Sequence, residues 1–190
     1  MTVSNRVAMI SGASRGIGAS IAEKLLSEGW AVSLGVRSPE ASAFNGNTNA
    51  LVCRFDALDP ESERSWMEET IARFGRLDGL VHNAGIMTPK TVLEAEDADF
   101  DLIFNVNVKS PMRLSQLAWP YLEKAPNGRI VTLASLSGKR VKSAGSGLYA
   151  MSKFAAVALG HGLRQCGKDG TRNAAHGGAQ RQHRARGEGN

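Results

Sequence analysis

Along this chain, short continuous apolar runs alternate with longer stretches in which apolar residues recur every three or four positions. Arg6–Ser11, Ala31–Val36 and Ala50–Phe55 are short runs of this kind, and Leu80–His82 and Arg129–Leu133 are two more. Runs of that length bounded by polar residues predict buried strands. Ile17, Ile21, Leu25 and Leu26 mark a helix with one buried face, ending at Gly29. Residues 60–74 have helix composition with Pro60 at the start. A long helical stretch runs from about Asp99 to Glu123, with a bend expected near Ser110-Pro111. The last predicted helix covers Leu148–Leu163. Strands alternating with helices imply right-handed crossovers and a parallel sheet. The expected fold class is therefore α/β, a doubly wound parallel sheet with helices on both faces.

Residues 173–190 break the pattern. Alanine is their only hydrophobic residue, mixed with Gly, Arg, Gln, His and Asn. Such a stretch buries too little apolar surface to offset its ordering entropy, so disorder is expected. The chain thus divides into one incomplete domain over 1–172 and a basic tail over 173–190. The formal charge of +5 follows the same division. Residues 1–166 hold 18 basic and 16 acidic side chains, and residues 167–190 hold 5 and 2. A bias concentrated in the tail predicts nonspecific contact with polyanions and no specific nucleic-acid partner. No apolar run reaches membrane-spanning length, so no membrane partner is expected. The opening Met-Thr-Val-Ser-Asn-Arg lacks a secretory hydrophobic region, which predicts a cytoplasmic location. Cys53 and Cys166 lack metal-ligand spacing and read as reduced bystanders, with no metal.

Two clusters carry chemistry. Gly12, Gly16 and Gly18 lie between a predicted strand and a predicted helix, where the backbone can approach a pyrophosphate and helix amides can meet its charge. The spacing is G-x-x-x-G-x-G, and a plain strand–helix turn would read the same way. The second strand ends Gly35-Val36-Arg37-Ser38, without the acid that usually meets a ribose 2′-hydroxyl. Arg37 and Arg15 suit a 2′-phosphate, so NADP(H) is favoured over NAD(H). Two solvated arginines would look alike in sequence. The second cluster is Tyr149 and Lys153, four apart on one helical face. A phenol in water titrates near pH ~10, and an ammonium within roughly 4–6 Å favours its ionised form. Such a pair suits general acid–base work on an alcohol or a carbonyl.

With these pieces in order, residues 1 to about 166 resemble the short-chain dehydrogenase/reductase family. Ser11-Gly12-Ala13-Ser14-Arg15-Gly16-Ile17-Gly18 looks like its cofactor motif, with Ser11 where threonine is commoner. Phe55-Asp56-Ala57 is similar to the segment whose Asp contacts adenine, and His82-Asn83-Ala84-Gly85 to the family's Asn-Asn-Ala-Gly, with His82 replacing the first Asn. Asn107 and Ser135 match the helix asparagine and strand-end serine of the catalytic tetrad. The resemblance implies a Rossmann-like fold and hydride transfer between NADP(H) and a carbonyl/alcohol substrate. It assigns Tyr149 as proton donor and acceptor, Lys153 as its electrostatic partner and ribose ligand, and Ser135 as hydrogen-bond donor to the substrate oxygen. Asn107 would hold a water joining Lys153 to solvent. Gly12, Ser14, Arg15, Gly16, Ile17, Gly18, Arg37, Asp56, Ala57, Asn83, Ala84 and Gly85 would contact the cofactor, together with Tyr149 and Lys153. A homodimer or tetramer through the two long helices is implied. His82 reads as a satisfied strand-end histidine. Lys139, Arg140 and Lys142, between Ser135 and Tyr149, form a solvated loop or favour an anionic substrate.

The resemblance stops where a sixth strand and a Pro-Gly turn would follow. The abrupt loss of large apolar residues after Arg172 predicts a truncated or frameshifted reductase lacking its C-terminal strands, with a genuine basic tail as the rival explanation. Three functional classes follow: an active reductase, a nucleotide-binding relic without turnover, and a polyanion binder acting through the tail.

Overall fold

Val7–Ser11 (β1) and Ala31–Val36 (β2) are apolar on both sides of the pleat, the pattern of strands covered on both faces, and every residue in them is buried. The computed structural model describes residues 6–184, with side chains for 6–167. Three further strands complete one sheet: β3 (Ala50–Arg54), β4 (Gly79–His82) and β5 (Arg129–Thr132). Their order is β3-β2-β1-β4-β5 and all four pairings are parallel. The chain therefore runs outward from β1 to β3, then returns to the other side of β1. That reversal opens a crevice at the carboxyl ends of β1 and β4, where ligands of open α/β sheets bind.

Helices cover both faces. Alternating side chains of each strand point to opposite sides. Ile10, Leu34 and Val81 lie under Ile21, Leu25 and Leu26 of α1 (Gly16–Ser27). Met9 and Leu80 meet Trp66 and Met67 of α2 (Pro60–Phe74) and Leu114, Ala118 and Leu122 of a later helix. Helix α2 starts where the sequence predicts. Pro60 needs no N–H at the first position, and the Asp59 carboxylate accepts from Glu61 N and Ser62 N. The Trp66 indole donates to Ser33 Oγ at 2.8 Å, and Ser33 shares a 2.7 Å bond with Thr70. The buried hydroxyls under α2 are thus satisfied, and a Cβ on Gly35 would lie 2.7 Å from the Trp66 ring.

The long helical stretch is interrupted next to the expected bend. It consists of α3 (Asp97–Phe104), a π-helical turn over Asn105–Lys109, and α4 (Ser110–Leu122). The wider turn comes just before Ser110-Pro111 and contains Asn107. Such insertions into an α-helix often re-aim a functional side chain. The last helix, α5 (Gly147–Arg184), begins beside the expected Leu148 but continues past Leu163, and no proline interrupts that segment. The expected disordered tail over 173–190 lies beyond the residues whose side chains are described, and residues 185–190 lie outside the described chain. Among the described residues no strand follows β5, which forms the sheet edge. Its residues alternate between exposed and half-buried, and Val131 is 52% exposed.

Candidate active site

The end of β1 and the end of β4 are tied together by one hydroxyl. Ser11 Oγ donates to Val81 O and accepts from the backbone N–H groups of Asn83 and Ala84, both at 3.1 Å. Asn83 Nδ2 answers by donating to Ser11 O and Gly12 O, each at 2.9 Å. The Asn83-Ala84-Gly85 segment therefore clamps the glycine loop from the neighbouring strand. The glycines have separate reasons. Gly12 sits at φ +69° against Ala84, whose Cα would be 2.9 Å from an added Cβ. Gly16 sits at φ +58° with nothing within 4 Å of that position, so its backbone faces open space. Arg15, the N-cap of α1, makes no side-chain cap bond, which leaves the amides of the first turn uncapped. A glycine-lined opening with uncapped amides fits the pyrophosphate of a dinucleotide. Ser14, Arg15 and Ile17 project from this loop into solvent, Ile17 at 65% exposure.

Arg37 and Asp56 follow neighbouring strand ends, because Phe55 N donates to Val36 O across them at 2.8 Å. Arg37 is exposed, Asp56 half-buried and Ala57 buried. Asp56 Oδ1 accepts from Leu58 N, and Asp56 N donates to Ser62 Oγ. Both strand ends open on the same edge of the sheet as the glycine loop.

At the other end of the crevice Lys153 is buried, and its ammonium donates to Leu133 O at 2.9 Å. Burial pushes its pKa down. The Nζ lies 5.7 Å from the centre of the Tyr149 ring. A Cβ built on Gly85 would meet both Asn107 Oδ1 and Lys153 Nζ, at 3.2 and 3.6 Å, which places Gly85, Asn107 and Lys153 side by side. Asn107 Oδ1 accepts from Ile86 N, and its Nδ2 donates to Ile86 O and to Ser152 Oγ. The π turn thus holds the loop after β4 against α5. Ser135, two residues beyond Leu133, accepts from Ser137 N at 3.1 Å, and no described residue accepts from its hydroxyl. Tyr149 is half-buried, while Lys139, Arg140 and Lys142 are exposed on the loop between Ser135 and Tyr149.

The structure draws Asn107, Tyr149, Lys153 and Gly85 into one cluster and ties Gly12 to Asn83. No direct hydrogen bond links Ser135, Arg37, Asp56 or Arg15 to that cluster. Sequence reasoning missed Ser152, Ile86 and the Leu133 carbonyl, and only Ser152 carried a signal, as the residue before Lys153. His82 is satisfied on one side alone. Ser115 Oγ donates to Pro111 O, so His82 Nε2 carries the proton it gives to Ser115 at 2.9 Å, and the buried Nδ1 has no partner. Desolvation lowers the His82 pKa to about 4.

Known proteins resemble this chain in sequence and fold. The family model for short chain dehydrogenases matches residues 6–170. Agropine synthesis reductase of Rhizobium rhizogenes is 38% identical over 167 residues, which are 86% of this chain and 39% of that protein. The 3-oxoacyl-(acyl-carrier-protein) reductase FabG of Salmonella typhimurium is 33% identical over 86% of this chain and 68% of its own length. The chain thus spans about two fifths of the one relative and two thirds of the other. A short chain dehydrogenase from Burkholderia cenocepacia, solved in complex with NADP, superposes with a TM-score of 0.78 at 35% identity, covering 87% of this chain and 69% of that one. No helix among the described residues is long and apolar enough to cross a membrane. With the crevice of β1 and β4, the glycine loop and the Tyr149–Lys153 helix in these positions, the chain belongs to the short-chain dehydrogenase family.

Proposed function

We propose that this chain is the cofactor-binding and catalytic part of an oxidoreductase that uses NADP(H) on a carbonyl/alcohol pair. The observation that carries the reading is the placement of Lys153. Its ammonium is held by Leu133 O and lies 5.7 Å from the Tyr149 ring, beside Asn107 and Gly85 in the β1–β4 crevice. Gly12, Ser14, Gly16, Ile17 and Gly18 would take the pyrophosphate, with Asn83, Ala84 and Gly85 flooring the nicotinamide end. The Asp56 carboxylate and the Ala57 N–H form an acceptor–donor pair suited to the amino and ring nitrogens of adenine. When bound, the nicotinamide supplies or accepts a hydride.

The chain's own residues manage the proton. Tyr149 passes it to or from the substrate oxygen, with the Lys153 ammonium 5.7 Å from the centre of its ring. One Lys153 N–H is fixed on Leu133 O, leaving two for ribose hydroxyls. The unused Ser135 hydroxyl donates to the same substrate oxygen and stabilises charge that develops there. Asn107, bound to Ile86 and Ser152, holds α5 at the right height, and the second lone pair of its Oδ1 can take a water near Lys153.

Arg37 and Arg15, exposed at the rim with no acid at the end of β2, favour a 2′-phosphate, hence NADP(H) over NAD(H). Phe100, Leu102, Met112, Met151 and Phe154 are exposed apolar residues on α3, α4 and α5, a face suited to a second copy in a dimer or tetramer. The test is fluorescence titration with NADPH and NADH, followed by a carbonyl panel with wild type and Tyr149→Phe. Tighter NADPH binding, with turnover lost in the variant and binding kept, supports the reading. Equal turnover in the variant, or no nicotinamide binding, overturns it. Binding without turnover in the wild type would mark a nucleotide-binding relic.

A further inference from the structure

Arg113 of α4 reaches 50 residues back along the chain to a carboxylate that is wholly buried. Its Nε and Nη2 donate to Glu63 Oε2 and Oε1, each at 2.7 Å, the paired geometry in which a guanidinium binds a carboxylate best. The Glu63 side chain is 1% exposed and that of Arg113 is 24% exposed. The same Nη2 also donates to Ala57 O at 2.9 Å. That third bond lands on the loop between β3 and α2.

The loop is otherwise held from α2 and by Arg54 of β3, which donates to Asp59 Oδ2 at 2.7 Å. Ser62 Oγ accepts from Asp56 N and contacts Asp56 O and Asp59 O, while Asp59 caps the helix. Only Arg113 reaches the Ala57 peptide from α4, and it does so as a fixed fork already anchored on Glu63. Phe55, on the other side of Asp56, is packed on Trp66 with ring centres 5.1 Å apart. Asp56 and Ala57 are thus set between an aromatic anchor and a guanidinium anchor. Helix α4 follows directly on the π turn that carries Asn107.

From this geometry we infer that Arg113, held by Glu63, is a positioning residue for the adenine end of the dinucleotide site. It fixes the Ala57–Leu58 peptide, whose Leu58 N–H donates to Asp56 Oδ1, and so holds the Asp56 carboxylate beside the Ala57 N–H at the spacing that one edge of an adenine requires. The inference rests on the nucleotide-site reading above and adds a residue that touches no ligand itself. Lysine cannot replace it, because a single ammonium lacks the planar fork that serves Glu63 and Ala57 O together.

The test compares three ligands that sample different parts of the site: NADPH, adenosine 2′,5′-bisphosphate for the adenine end, and reduced nicotinamide mononucleotide for the other end. Arg113→Met alone would strand a buried carboxylate and risk unfolding, so the main variant is the double substitution Arg113→Met with Glu63→Met, which removes both charges. Arg113→Lys is the second variant. Equilibrium titration should show NADPH and the bisphosphate weakened about tenfold in both variants, the scale of one hydrogen-bonded contact, with the mononucleotide unchanged. If all three ligands weaken alike, Arg113 only supports the fold and the inference fails. It also fails if the wild type binds all three and the variants match it. A wild type that binds none of them overturns the nucleotide-site reading itself.

Discussion

Strands β1 and β5 are built from similar residues and differ in their surroundings. Val7–Ser11 is buried throughout, with paired strands on both sides and helices on both faces. Arg129–Thr132 pairs with β4 alone, and Val131 is 52% exposed. Beside it, α4 and α5 leave a groove of about 950 Å³ floored by Ile130 and Thr132 and walled by Trp119, Leu122, Val157 and Leu163. The charges divide in the same way. From Lys124 to Gly167 the chain has no Asp or Glu, and every salt bridge of the described residues lies between Lys24 and Arg113. The half of the crevice proposed to take the nucleotide therefore stands on a closed, cross-linked core. The half proposed to carry the chemistry, on β5 and α5, rests on a sheet edge. Affinity for the cofactor and turnover should accordingly respond to different insults.

The largest effect should come from chemistry. Tyr149→Phe keeps the ring beside Lys153 and removes the proton, so turnover should fall by about 10²–10⁴-fold while the NADPH dissociation constant changes less than about twofold. Steady-state kinetics set against a titration checks this, and equal losses in both would dissolve the distinction between the halves.

Next comes packing. Trp66→Ala empties the space over Gly35 and removes one of the two hydrogen bonds of Ser33, and should cost about 3–5 kcal/mol in denaturant unfolding. Val131→Ala at the β5 edge should stay within about 0.5 kcal/mol. Comparable losses at the two sites would show that β5 is as enclosed as β1.

The buried His82 sharpens the comparison through pH. Its folded pKa of about 4 lies below the ordinary value of 6.5. Between those values the unfolded chain takes up the proton and the folded chain does not. Stability is therefore complete above about pH 6.5 and declines as pH falls towards 4, by roughly 3 kcal/mol in all. His82→Asn, unable to titrate, should flatten that part of the curve. An unchanged slope would locate the acid sensitivity elsewhere.

Smaller effects belong to the rims. Arg37→Asp should shift preference from NADPH towards NADH by about tenfold, the scale of one charge-assisted contact. Val131→Lys should reduce concentration-dependent association through the unpaired edge, read by light scattering, without shifting the melting temperature.

Much of this was legible in sequence because the signals are local. Five apolar runs became five strands, shifted by no more than a residue at either end, and Pro60 marked the start of α2. The glycine loop and the Tyr149–Lys153 spacing are likewise short-range patterns. What escaped is long-range or lies in the backbone register. The π turn at Asn105–Lys109 displaces the hydrogen-bond register within a single turn, which leaves too little periodicity to detect, so Pro111 drew attention instead. Glu63 and Arg113 are 50 residues apart and look like ordinary surface charges until α2 and α4 are packed together. His82 reads in sequence as a satisfied strand-end histidine, whereas its one partner, Ser115, comes from α4 and its Nδ1 has none.

The placement of Lys153 can be tested most directly by titrating NADPH fluorescence against the wild-type chain and Lys153→Met. Saturable binding in the wild type, weakened at least about tenfold in the variant, is the outcome these contacts predict. Equal affinity in the two proteins, or no saturable binding in either, would contradict it.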